Sequence, residues 1–107
     1  MLITTTNEVP GYEIQEVFGE VFGLTVRSRN LVSTIGSGIK SIVGGEIKGM
    51  TKALADSREQ VIRRMVEEAQ AKGANAVVAM RFDTSELGSL WTEICAYGTA
   101  VRVKKIY

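Results

Sequence analysis

The sequence predicts a two-layer α+β domain, an antiparallel sheet packed against helices. Three observations predict it. Ser57 to Asp83 (SREQVIRRMVEEAQAKGANAVVAMRFD) reads as a charged amphipathic helix, a glycine stop and then at once a strand. Tyr12 to Val26 is long, β-branched and aromatic, as a strand requires. Leu90 to Ile106 is a further strand, separated from the one before it by the short turn Ser85–Ser89, so these two should pair antiparallel. A chain of 107 residues fits one such domain.

In chain order, Leu2–Thr6 (LITTT) is a short strand, and Asn7–Gly11 (NEVPG) is a turn built on the one proline and the glycine after it. In the strand Tyr12–Val26, one parity holds Tyr12, Ile14, Phe18, Phe22, Leu24 and Val26, while Val17, Val21 and Thr25 lie on the other. Gly19 and Gly23 interrupt it. A glycine inside a strand marks a bulge, a bend or another backbone close by. A bent edge strand and a close subunit contact both fit.

Asn30 is a possible N-cap, and Leu31, Ile35, Ile39, Ile42 and Val43 recur at helical spacing. The opposite face is small and polar, and Gly36 and Gly38 each cost about 1 kcal/mol of helix propensity. Gly44 and Gly45 end this helix, and Glu46–Leu54 resumes the pattern. Asp56 and Ser57 could cap a new helix or sit inside one long one. Val61, Ile62, Met65, Val66 and Ala69 form the buried stripe, and the pairs Glu59/Arg63, Arg64/Glu68 and Glu68/Lys72 line a solvated face. Gly73 is placed for a left-handed C-terminal cap. In the following strand, Ala76, Val78, Met80 and Phe82 read as the core parity; in the last strand Trp91, Cys95, Tyr97, Val101 and Val103 share one face.

Thirteen basic residues against twelve acidic ones leave a net charge of +1, so no global field favours nucleic acid or an anionic membrane. Arg27, Arg29, Lys40 and Lys48 are scattered rather than gathered into a basic footprint. There is no histidine, which removes the commonest general base near neutral pH and the commonest metal ligand. The single cysteine, Cys95, suits a reducing compartment. The N-terminal residues have no secretory pattern, and no apolar run approaches the roughly 20 residues that span a bilayer. A cytoplasmic protein is expected.

Few residues suggest chemistry. Gly36-Ser37-Gly38-Ile39-Lys40-Ser41 has the ingredients of a phosphate loop, but isoleucine separates the glycine from the lysine and the spacing fails. Cys95, between Ile94 and Ala96, reads first as a small buried hydrophobe. Asp83, Glu86 and Glu93 flank the last turn as surface acids that could present carboxylates to a cation. Arg58 falls on the helix stripe where an apolar residue is expected. It either snorkels at the edge of the stripe or pairs with Asp83 or Glu46.

Val43-Gly44-Gly45-Glu46-Ile47, Gly73-Ala74-Asn75-Ala76-Val77-Val78, Arg81-Phe82-Asp83 and Glu93–Val101 (EICAYGTAV) resemble the YbjQ-like family over nearly the whole chain. The resemblance implies a small cytoplasmic α+β subunit that assembles into homopentameric rings, sometimes pairs of rings. It also implies a heavy-metal-binding label, and it transfers no catalytic residue. Soft metals favour thiolate and imidazole, so one chain with a single cysteine and no histidine cannot build a typical zinc or copper site. A ring could gather one residue from each subunit. Glu46, Asp83, Glu93 and Cys95 are the candidate ligands for a divalent or soft ion. The expected protein is a non-catalytic binding or assembly module, with copies of itself as its partners, hiding its glycine-lined backbone and second helical face against them.

Overall fold

The computed structural model describes residues 1–28, 42–43 and 46–107. Its main sheet has four strands: β1 (Leu2–Ile3), β2 (Tyr12–Ser28), β5 (Ala76–Leu87) and β6 (Trp91–Lys105), in the order β1-β5-β6-β2. A second, two-stranded ladder pairs β3 (Ile42–Val43) with β4 (Glu46–Ile47). One helix, α1 (Lys48–Ala71), packs on one face of the main sheet.

The helix starts two residues later than the apolar spacing suggests, because Glu46 and Ile47 belong to β4. Asp56 and Ser57 lie inside it, and the Ser57 hydroxyl donates to the Ala53 carbonyl one turn back at 2.9 Å. It is therefore one long helix. Its end is a Schellman cap: Gly73 takes φ 87°, its N–H bonds to Gln70 O at 3.0 Å, and Ala74 N–H bonds to Ala69 O at 3.1 Å. The helix expected over Leu31–Val43 falls mostly outside the described residues. Its last two positions, Ile42 and Val43, are strand β3.

The sheet is mixed rather than antiparallel throughout. β1 runs parallel to β5, with Leu2 opposite Ala76 and Ile3 opposite Val77. Leu2 N–H bonds to Asn75 O at 3.2 Å and Thr4 N–H to Val77 O at 2.9 Å. The connection from β1 to β2 has to cross to the far edge of the sheet, and on the way it lays Val9 over Ala76, Val78, Val101 and Val103. The proline-glycine turn thus covers one end of the face opposite the helix.

The other pairings are antiparallel. β5 runs on to Leu87, past the expected end at Asp83, β6 is one residue shorter at each end than the expected Leu90–Ile106, and the turn between them is tighter. Ser85, Glu86 and Leu87 remain paired in β5, and the chain reverses over Gly88–Leu90 with Gly88 at φ 70°. A bulge between Val78 and Arg81 shifts the phase of β5 by one residue, with Ala79 at φ 54°. Consequently Val77 faces the helix before the bulge, and Met80 and Phe82 face it after. Ala76 and Val78 belong to the cluster on the opposite face, so the simple alternation fails there.

The helix-side core joins Val61, Met65 and Ala69 to Val21, Val77, Ile94, Ala96 and Ala100. Fully burying side chains of the Val or Met class contributes about 1.5–3 kcal/mol each. In β2 and β6 the core-facing parity is the one with small residues. Val21 and Gly23, opposite Gly98 and Ala96, look at the helix. Phe22, Leu24, Val26, Trp91 and Tyr97 look away from it and are exposed. The bulky parity cannot face the helix because the helix backbone comes too close for it at Gly23. A Cβ on Gly23 would fall 2.5 Å from Met65 N and inside the shell of Val61 O. A Cβ on Gly98 would fall 2.6 Å from Val77 Cγ1. The backbone that approaches these glycines is the chain's own, so the expected hiding of a glycine-lined strand against another copy does not apply to them. Gly19, at φ 100° beside a register shift, is a bulge glycine.

Gly23→Ala should therefore lower unfolding stability by about 1–3 kcal/mol or more, the range of overpacking. Gly11→Ala, at a loop site with open space, should cost only the strain of its positive φ. Urea unfolding of the two variants side by side checks the difference.

Candidate functional site

The face of the sheet away from α1 is the most unusual surface of the molecule. Cross-strand register arranges it in rows: Phe22, Tyr97 and Arg81; Leu24, Cys95 and Asp83; Val26, Glu93 and Ser85; Ser28, Trp91 and Leu87. Its large apolar side chains, Phe22, Leu24, Val26, Leu87, Trp91 and Tyr97, are each between 37% and 49% exposed. The turn around Val9 covers only the other end of this face, over Val101 and Val103.

Of the four candidate ligands, the structure brings three to this face. Asp83 stands directly opposite Cys95, and Glu93 precedes Cys95 by two residues on the same side of β6. The side chain of Glu46 lies outside the described residues. Asp83 Oδ1 accepts a hydrogen bond from Thr84 N–H at 3.0 Å, and the Cys95 thiol lies 3.7 Å from Ala96 O. The Cys95 pKa is pushed up, first by burial and then by the negative charges of Glu93, Asp83 and Glu20. The protonated thiol is a poor nucleophile and a poor metal ligand. Among the described residues no three Cys, Asp or Glu side chains come together around one point. The described residues of one chain therefore do not by themselves gather a three-ligand donor set.

Arg58 takes the snorkelling course. It is exposed, and its guanidinium carbon lies 4.7 Å from the centre of the Phe82 ring. Of the expected helix-face pairs, Glu59 and Arg63 meet at 3.6 Å. Arg64 and Lys72 reach over instead to strand β2, donating to Leu24 O at 2.8 Å and Glu20 O at 3.4 Å. Arg27 donates to Gln60 Oε1 at 2.7 Å. No helix among the described residues is long and apolar enough to cross a membrane.

The site that sequence reasoning missed is the apolar face itself. Its signal was present in the smallness of Gly23, Ala96, Gly98 and Ala100, which mark the helix side by elimination.

An α1 helix laid over three long strands, with a short parallel strand at the edge, defines a small α+β protein. A family model described as "Putative heavy-metal-binding" matches residues 1–104, and the chain belongs to this YbjQ-like family. It is 67% identical over 106 residues to a UPF0145 protein of Acidothermus cellulolyticus, a match covering 99% of this chain and 98% of that one. A UPF0145 protein of Lactococcus lactis subsp. cremoris is 62% identical over 106 residues, covering 99% and 97%. One of Streptomyces coelicolor is 59% identical over 105 residues, covering 98% and 99%. The crystal structure of a protein of unknown function from Pediococcus pentosaceus, placed in the DUF74 family, superposes with a TM-score of 0.58 at 14% identity. That match covers 97% of this chain and 98% of the other, and it supports the fold.

Because carboxylates beside a thiol oppose its ionisation, Asp83→Asn with Glu93→Gln should lower the Cys95 pKa. Alkylation of Cys95 by iodoacetamide at pH 8 should then be several-fold faster than in the unaltered protein. A pH series read by mass spectrometry measures the shift; unchanged rates would remove the electrostatic cause.

Proposed function

We propose that this protein is a cytoplasmic, non-catalytic binding and assembly module that works as a homo-oligomer, with the family resemblance implying five copies to a ring. One observation supports the reading above the rest, the row of half-exposed apolar side chains across the open face of the sheet. A lone soluble molecule rarely shows water a contiguous apolar patch larger than a few hundred Å². Covering this face with other copies removes Phe22, Leu24, Val26 and Tyr97 from water. Sharing between identical subunits is also the usual way such surfaces are used.

Light scattering during size exclusion should give a mass several times 11.6 kDa at micromolar concentration. Leu24→Lys should shift it toward the single-chain mass while leaving the circular dichroism of the fold unchanged. A single-chain mass for the unaltered protein would overturn the proposal.

A second reading is heavy-metal binding where copies meet. It is favoured by Asp83, Cys95 and Glu93 lying on the very face that assembly would bring together. Several copies could then supply what one chain lacks. Titration calorimetry with zinc, copper and nickel should give binding tighter than millimolar that is lost in Cys95→Ala and in Asp83→Asn. Binding unchanged by both substitutions would exclude these ligands.

A further inference from the structure

We propose that the tip of the β5–β6 hairpin, Leu87–Trp91, seats in a groove on another copy of the chain. This rests on the self-association reading and names the contact that reading leaves open. The groove is an open cavity of about 450 Å³ between the first half of α1 and the helix side of the sheet. Thr51, Leu54, Ala55, Arg58, Thr84 and Ile94 line it. Leu54, Ala55 and Ile94 give it an aliphatic wall, and Leu54 remains 48% exposed. Arg58 supplies a cation at the rim. One face of its guanidinium rests on Phe82, and none of the described carboxylates forms an ion pair with it.

The hairpin tip has the complementary character. Leu90 and Trp91 project from the end of the ribbon, 53% and 49% exposed, with Leu87 beside them. The carboxylate of Glu93 stands on β6 two residues behind Trp91. A leucine and an indole fit an aliphatic groove. The indole can lie against the second face of an arginine, and a carboxylate can meet its N–H groups. Buried tryptophan and arginine are also the residue types that dominate binding energy at protein interfaces.

The tip cannot fill the groove of its own chain. Thr84 lines the groove, and Leu87 lies three residues further along the same strand, about 10 Å at 3.4 Å per residue. The β5–β6 pairing runs unbroken through Thr84 opposite Ile94 to Leu87 opposite Trp91. Bending the tip back would break that ladder. The tip that fills it comes from a second chain, and this head-to-tail contact repeated from copy to copy gives a ring where its rotation closes.

The test uses the full chain in a Cys95→Ala background. Leu54→Cys and Leu90→Cys are made separately, as both positions are exposed, and the two proteins are co-expressed with different tags. Oxidation should yield the 54–90 disulfide at least tenfold in excess of either homodimer. In the assembled Leu54→Cys protein, Trp91→Ala should speed maleimide labelling of the introduced thiol at least tenfold. A multimeric mass with no enriched 54–90 disulfide, and labelling as fast as in the single-chain Leu24→Lys background, would overturn the groove contact alone. A single-chain mass would overturn it together with self-association. Protection of position 54 that appears only on adding decanoate would assign the groove to a small carboxylate and overturn the proposal.

Discussion

The structure depends on how closely the α1 backbone can approach the sheet. The contact is made by Gly23 on β2 against the main chain of Val61 and Met65, over a floor of Ala96, Gly98 and Ala100. Close approach brings Met65, Val61 and Ala69 into a dense core, where dispersion and burial act together. Any side chain at Gly23 would prop the helix away and open voids beneath it. The small residues are therefore what allows the 24-residue helix α1 to pack closely over three long strands.

That choice has a consequence on the other side. Strands alternate, so devoting the small parity to the helix sends the large parity to the opposite face. The connection around Val9 covers the end near Val101 and Val103. The other end, with Phe22, Leu24, Val26, Tyr97 and Trp91, has no second layer among the described residues. Among the described residues, the sheet thus carries apolar side chains on both faces while only one face is packed against the helix, which is the ground for the self-association proposed above.

The long helix also guards the outer edge of β2. Unpaired strand edges invite pairing with other chains. Here Arg64 and Lys72 satisfy the outward carbonyls of Leu24 and Glu20. Residues that read as members of a solvated charge ladder thus serve the sheet. Surface ion pairs are worth little, so a hydrogen bond to an otherwise unpaired carbonyl readily draws these long side chains away from their helical neighbours. The same protection leaves the sheet face as the larger sticky surface.

The sequence by itself determined the elements whose signals are local. The helix stripe Val61–Ala69, its glycine stop at Gly73, the long strand β2 and the antiparallel hairpin of β5 and β6 follow from periodicity, propensity and turn chemistry within short windows. So did the placing of Asp83, Glu86 and Glu93 around the last turn, whereas the register that sets Cys95 opposite Asp83 came only with the fold. Which face of each strand is buried was decided only by tertiary structure. Hydrophobicity favoured Phe22, Leu24 and Tyr97, whereas the steric demand of a helix backbone at Gly23 favoured the smaller parity. The bulge at Ala79 and the parallel pairing of β1 likewise depend on partners distant in the chain, which no local window contains.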